Sequence, residues 1–138
     1  MSYLVDTNVL SELRRREPNA GVREWFSSRA SSMLFLSVLT LGEIRKGLES
    51  VSEGERRLKL LDWWEIELPA FFIGRILSVD IPVADRWGRL QAEARRPLPA
   101  VDSLLAATAL HHGLRMVTRN EKDFDYPGLE VINPWAVA

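Results

Sequence analysis

The chain has 138 residues, 46% apolar and 27% charged, with a formal net charge of −1. That is one ordinary soluble domain, long enough to bury a core, and not an overall polycation that would hold nucleic acid by bulk charge. There is no cysteine and the only histidines, His111 and His112, are adjacent, which excludes disulfides, zinc–thiolate sites and thiol nucleophiles and is poor spacing for a histidine metal site or a Ser-His-Asp triad.

Any metal would therefore be held by oxygen, which favours Mg²⁺ or Mn²⁺. No basic, apolar leader opens the chain. The most apolar window, Leu68 to Val79, is broken by Pro69, Gly74 and Arg75 and is too short to span a bilayer. A cytoplasmic protein without membrane contact is expected.

Tyr3–Val5 reads as a first strand, ended by Asp6. An acid there can be a simple turn residue before a helix capped by Thr7 or Asn8. Asn8–Arg16 is a first short helix and Ala20–Ala30 a second, with Val22, Trp25 and Phe26 on one face. Met33–Ser37 is a second strand. "TLGEIRKGLESV" follows as a helix with Leu41, Ile44, Leu48 and Val51 at spacings of three and four. Within it, Thr40 and Glu43 have the spacing of a capping box, which would by itself account for Glu43. Gly47 shares that helix face and costs about 1 kcal/mol against alanine, which makes sense if something must approach closely.

Gly54 to Leu68 is a charged helix carrying Trp63 and Trp64. Adjacent helical positions lie about 100° apart, so both rings cannot face one core. Either one is buried and the other partly covered, or one belongs to a dimer or partner interface. Pro69 suits the first turn of a further helix. Leu77–Asp80 is a third strand and Pro82–Arg95 a helix with Val83, Trp87 and Leu90 as its buried stripe. "RRPLPAVDSLLAATALHHG" is a loop and then a nearly all-apolar helix ending at Gly113, whose small residues Ala106, Ala107 and Ala109 would let it lie close to a sheet. Asp102 in its first turns complements the helix dipole, but a carboxylate among so many apolar residues needs a partner or a shifted pKa. Arg115–Thr118 and Glu130–Ile132 complete the strands. Between them Asp123 reads as a turn acid in "VTRNEKDFDY". No repeat or linker divides the chain, so residues 1–138 form a single domain.

Strands alternating with helices argue for an α/β fold with a parallel sheet. In such a sheet, strand ends and helix starts share one edge, where ligands bind. Asp6 and Asp123 follow strands; Glu43 and Asp102 open helices. All four acids thus face one rim. Like-charged pairs about 5 Å apart cost on the order of 3 kcal/mol each at an effective dielectric near 20, which one or two bound Mg²⁺ or Mn²⁺ ions would reverse. Such a site fits metal-assisted hydrolysis of a phosphodiester. Cations flank each acid-bearing segment: Arg14, Arg15 and Arg16; Arg45 and Lys46; Arg95 and Arg96; Arg119 and Lys122.

The segments "YLVDTNVLSEL", "LSVLTLGEIRKGL", "LPAVDSLLAATAL", "VTRNEKDF" and "VINPW" resemble, in order and over nearly the whole chain, the PIN-domain ribonucleases, specifically the VapC/FitB-like toxins of toxin–antitoxin modules. The resemblance implies a three-layer α/β/α PIN-like fold around a five-stranded, mostly parallel sheet. It implies that Asp6, Glu43, Asp102 and Asp123 hold Mg²⁺ or Mn²⁺, with Asp6 and Asp102 as direct ligands and Thr7, Thr118 and Asn120 as polar supports. It also implies an RNA substrate cleaved by a metal-activated water, a cognate antitoxin, a homodimer, and contact with DNA only indirectly, through the antitoxin. A haloacid-dehalogenase-like phosphatase would want a second aspartate at Asn8. A non-catalytic PIN-like module binding RNA or a partner would not need the acids filled.

Overall fold

The computed structural model describes residues 1–136. Five strands, β1 (Tyr3–Val5), β2 (Leu34–Ser37), β3 (Ile76–Leu77), β4 (Arg115–Val117) and β5 (Val131–Ile132), form a sheet of order β3-β2-β1-β4-β5. Every neighbouring pair is parallel, so the expected mostly parallel sheet is wholly parallel among the described residues. Parallel neighbours need crossovers, and helices supply them. α1 (Thr7–Leu13) and α2 (Ala20–Ser27) join β1 to β2. α3 (Val38–Glu49), α4 (Glu55–Asp62) and α5 (Leu68–Phe71) join β2 to β3. α6 (Ile81–Glu93) and α7 (Ala100–His112) join β3 to β4.

The continuous apolar run of β1 follows from burial on both faces. Tyr3 and Val5 pack with Val9, Trp25, Leu36 and Phe72; Leu4, pointing the other way, packs with Val83, Leu105, Met116 and Phe124. Each such fully buried side chain stabilises the fold by roughly 1.5–3 kcal/mol. Ala106, Ala107 and Ala109 are buried, as their size suggested. α7 ends at Gly113, whose φ of 66° is left-handed, and Leu114 N–H closes onto Ala109 O at 2.8 Å.

Several boundaries differ from the sequence reading. α1 stops at Leu13 and α2 at Ser27, earlier than expected. β3 ends at Leu77 because Asp80 is a helix cap, accepting the Val83 N–H at 3.1 Å. No break precedes Pro69. The chain runs from α4 through a π-helical turn, Trp63–Glu67, directly into α5, with Leu68 N–H reaching back five residues to Trp63 O. Proline lacks an N–H and its ring crowds the preceding turn, and the wider turn accommodates both defects. Trp63 and Trp64 are each half-buried. Trp63 packs against the core, while Trp64 donates through Nε1 to Leu41 O at 2.8 Å and so ties this turn to α3. Arg57 Nη1 donates to the carbonyls of Leu48 in α3 at 3.3 Å and of Val51 just beyond it at 2.9 Å, which fixes α4 across the end of α3.

Candidate active site

Asp6 leaves the end of β1 while its N–H still donates to Val117 O at 2.9 Å, so the residue is held at the carboxyl edge of the sheet. It is itself the N-cap of α1, accepting the Thr7 N–H on Oδ1 at 2.8 Å; Thr7 and Asn8 are not the cap. Its other oxygen accepts the Thr118 hydroxyl at 2.7 Å and the Asn8 side-chain amide at 3.3 Å. Thr118, buried just beyond β4, accepts in turn from Asn8 Nδ2 at 3.2 Å and from the Asn120 N–H at 3.1 Å. Arg119 N–H donates to Asn8 Oδ1 at 3.3 Å, closing the ring of contacts. Burial raises the Asp6 pKa above the usual range, the Thr118 and Thr7 hydrogen bonds oppose that, and the charges of Glu43 and Asp123 add to it.

Glu43 is not a capping-box residue. β2 runs straight into α3, and Ser37 already caps that helix, accepting the Leu39 N–H at 3.0 Å. Thr40 therefore lies inside the helix, buried, with no partner for its hydroxyl among the described residues. Glu43 instead crosses to the first βα junction, where its Oε1 accepts the Thr7 hydroxyl at 2.7 Å. Asp102 stands in the first turn of α7, half-buried. Its pKa is raised to about 6, first by burial, then by Asp123, Asp6 and Glu43. Asp123 sits on an exposed 3₁₀ turn, Glu121–Phe124.

Thus the charges of Glu43 and Asp123 reach both Asp6 and Asp102, and that of Asp6 reaches Asp102. Asp6, Thr7, Glu43, Asp102 and Asn120 line one open cleft of about 500 Å³. Asp123 stays at its margin, and Asn120 reaches the network through its backbone N–H. Asn8, considered in the sequence as a helix cap and as the wrong residue for a phosphatase, bridges Asp6 and Thr118. The signal for it was its place two residues after the acid in "DTN".

The donor chemistry fits a hard dication. The groups are oxygens, and none of the four acids is ion-paired among the described residues. No three acid or histidine side chains among those residues close on a single point, so the acids face one another across the cleft rather than forming a finished cage. His111 and His112 end α7, about 14 Å along its axis from Asp102 at 1.5 Å per residue, and do not line the cleft.

The PIN domain family pattern matches residues 3–128. The plasmid stability protein StbB of Pseudomonas syringae pv. tomato is 40% identical, covering 96% of this chain and 97% of that protein. The VapC ribonuclease Y4jK of Sinorhizobium fredii is 35% identical over 98% of this chain and 99% of its own. The solved structure of FitAB bound to an IR36 DNA fragment superposes with a TM-score of 0.91 at 33% identity, covering 99% of this chain and 97% of that one. The chain belongs to the PIN-domain family, alongside StbB, VapC and FitB.

Proposed function

We propose that the protein is a Mg²⁺- or Mn²⁺-dependent endoribonuclease and the toxin of a toxin–antitoxin module. The observation that supports it best is the open cleft lined by Asp6, Glu43 and Asp102, where burial and the charges of neighbouring acids raise the pKa of both Asp6 and Asp102. Its relatives include proteins named for ribonuclease activity and for plasmid stability, which agrees with that reading.

Asp6 and Asp102 are the proposed direct ligands, with Glu43 and Asp123 contributing charge. When bound, the ion supplies a water of lowered pKa and neutralises phosphate oxygens. The chain's own residues do the positioning. Thr118 and Asn8 fix Asp6 in one orientation, and Thr7 holds Glu43 toward the cleft. Arg15 and Arg119 line the same cleft and bring positive charge to a polyanion that the acids would repel. A cognate antitoxin that blocks the cleft, a homodimer, and DNA contact only through that antitoxin complete the proposal. The FitAB structure, solved bound to an IR36 DNA fragment, is in keeping with an assembly that meets DNA.

The test is cleavage of RNA by protein purified free of contaminating nuclease, with Mg²⁺ or Mn²⁺ present or chelated. Cleavage only with the ion, lost in Asp102→Asn, supports the reading. Metal-independent cleavage, or full activity of Asp102→Asn, overturns it.

A further inference from the structure

One acid of the cleft differs from the rest. Glu12 lines it beside Asp6, Glu43 and Asp102, yet it alone of these carboxylates is ion-paired among the described residues. It is 6% exposed, and each of its oxygens has a donor. Oε2 accepts the Asn19 N–H at 2.8 Å, at the cap of α2, and Oε1 accepts Arg15 Nη1 at 3.3 Å. The Asn19 N–H holds the Glu12 pKa below the usual range, burial opposes that, and the charges of Arg15 and Arg119 add to the lowering. The charges that raise the Asp102 pKa are those of Asp123, Asp6 and Glu43, and Glu12 adds none.

A carboxylate at a cleft that must admit a polyanion repels it unless cations neutralise it. Two arginines lie where they can. Asn8 and Glu12, four residues apart, share one face of α1. Asn8 Oδ1 accepts the Arg119 N–H at 3.3 Å, and Glu12, one turn on, feels the Arg119 charge. The same guanidinium lies 5.2 Å from the Trp135 ring centroid. Trp135 is fixed in turn, its N–H donating to Asn133 Oδ1 at 3.0 Å while Asn133 Nδ2 reaches Arg119 O at 3.5 Å. Arg15 and Arg119 are both exposed and both line the cleft. Long exposed side chains lose rotamer freedom when they grip a phosphate, and arginines held beforehand avoid part of that loss.

We propose that Glu12 is a positioning residue of the nuclease site, a buried carboxylate that holds Arg15 and Arg119 at the cleft so that they meet the RNA backbone in a fixed geometry. The inference rests on the nuclease reading above. Glu12 touches neither RNA nor metal in this role and acts through the two arginines. A carboxylate that held the metal would add its charge to that of the other acids on Asp102, and Glu12 does not. A plain anchor for the turn between α1 and α2 would need only the Asn19 N–H and would place no demand on charge.

The test is Glu12→Gln. The amide oxygen can still accept the Asn19 N–H, but the side chain carries no charge to hold an arginine. Simple electrostatics predicts that removing a carboxylate from the cleft and freeing an arginine tightens the hold on a polyanion. Positioning predicts the opposite sign. In the Asp102→Asn protein, Glu12→Gln should weaken binding of a short unstructured oligoribonucleotide about tenfold, the lower end for one charge-assisted hydrogen bond. The slope of log affinity against log salt should flatten by about 0.7, the share of one phosphate contact. With Asp102 in place, Glu12→Gln should keep the rise in melting temperature that Mn²⁺ gives the wild type. A double-mutant cycle separates positioning from folding. In an Arg15→Gln/Arg119→Gln background, Glu12→Gln should change RNA binding and kcat/KM by less than about twofold, whereas a merely structural glutamate would cost the same in both backgrounds.

Tighter RNA binding by Glu12→Gln, or a steeper salt slope, would overturn the inference. So would a loss undiminished in the Arg15→Gln/Arg119→Gln background. Loss of the Mn²⁺ shift would make Glu12 a metal ligand and overturn it as well. Arg15→Gln/Arg119→Gln alters exposed side chains only, and wild-type RNA affinity in that variant would leave nothing to position and overturn the inference even if Glu12→Gln failed to fold. A wild-type protein that cleaves RNA beside a Glu12→Gln that binds and cleaves it equally well sinks this inference alone. A wild-type protein that cleaves no RNA with Mg²⁺ or Mn²⁺ sinks the nuclease reading and this one together.

Discussion

Replacing Asp102 by asparagine should make the metal-free protein more stable, and only above a defined pH. A folded-state pKa raised from 3.8 to about 6 means that folding disfavours the charged form. At about 1.4 kcal/mol per pH unit the full penalty is about 3 kcal/mol. Asp102 is only half-buried, so solvent screens part of this, and its place in the first turn of α7 returns about 0.5 kcal/mol from the helix dipole. About 1–2 kcal/mol remains. Its carboxylate accepts no side-chain or N-cap hydrogen bond among those described, so asparagine removes the charge and little else. The sign follows directly. The stabilising protonated form is fully present below pH 3.8 and is lost as pH rises through 6. Thermal unfolding in EDTA should therefore give equal melting temperatures near pH 4, diverging through pH 5–6. At pH 7.5 the variant should lead by about 3–8 °C, at about 3–4 °C per kcal/mol for a domain of this size. Added Mn²⁺ should raise the wild type and close the gap. A variant that melts below wild type at pH 7.5, or a difference that persists unchanged at pH 4, would refute the account of Asp102 as a carboxylate held at electrostatic cost.

Glu43→Gln keeps an acceptor for the Thr7 hydroxyl, and Ser37 rather than Glu43 caps α3, so stability should change by less than about 0.5 kcal/mol. Activity should nonetheless fall about 100-fold, the scale for removing one preorganised electrostatic group; full activity would return Glu43 to a structural role. Asp6→Asn should behave differently from Asp102→Asn. Its amide would face the Thr118 hydroxyl and the Asn8 amide, two donors, and denaturant titration should show a loss of about 1–2 kcal/mol; a variant as stable as wild type would contradict the donor assignment. His111→Ala and His112→Ala should keep activity within a few-fold, and the product ends should be 5′-phosphate and 3′-hydroxyl. Ends bearing 2′,3′-cyclic phosphate would refute hydrolysis by water even if cleavage were confirmed.

Fold class was legible because β1, β2 and β4 are short, largely apolar runs and β1 and β2 each hand over directly to a helix. The ends of elements were harder to read. Asp80 resembles the end of a strand until its side chain is seen to cap α6. Pro69 does lie in the first turn of α5, but nothing local announces the π turn that joins α5 to α4 without a break. Glu43 was the instructive case. Thr40 and Glu43 satisfy the capping-box spacing, but Ser37, three residues earlier, takes the cap as soon as β2 hands over directly to α3. Spacing alone cannot choose between two hydroxyls. The convergence of the acids was predictable from topology, since a parallel sheet puts all its carboxyl ends on one edge. What topology could not give was the support: Asn8 bridging Asp6 and Thr118 spans more than a hundred positions in sequence. Nor could it place Asp123 at the margin, which depends on how the 3₁₀ turn after β4 leaves the sheet.

The two aspartates proposed as direct ligands are held in opposite ways, and the difference bears on how the site would load. Asp6 is buried, yet its two oxygens take three donors, from Thr7, Thr118 and Asn8, which work to keep it ionised and fix its orientation. Asp102 is more open, has no side-chain or N-cap donor among those described, and has its pKa raised to about 6, first by burial. A single rigid cage of four ionised acids would carry its full repulsion whenever it was empty. Asp6 presents a fixed carboxylate at the end of β1, whereas Asp102, ionised at neutral pH only at an electrostatic cost, would gain most from a compensating cation. Glu43 is exposed and tethered through one hydroxyl. The aspartate that ends β1 is thus the fixed reference of the site because it is also the cap of α1, and the same hydrogen bonds serve fold and chemistry.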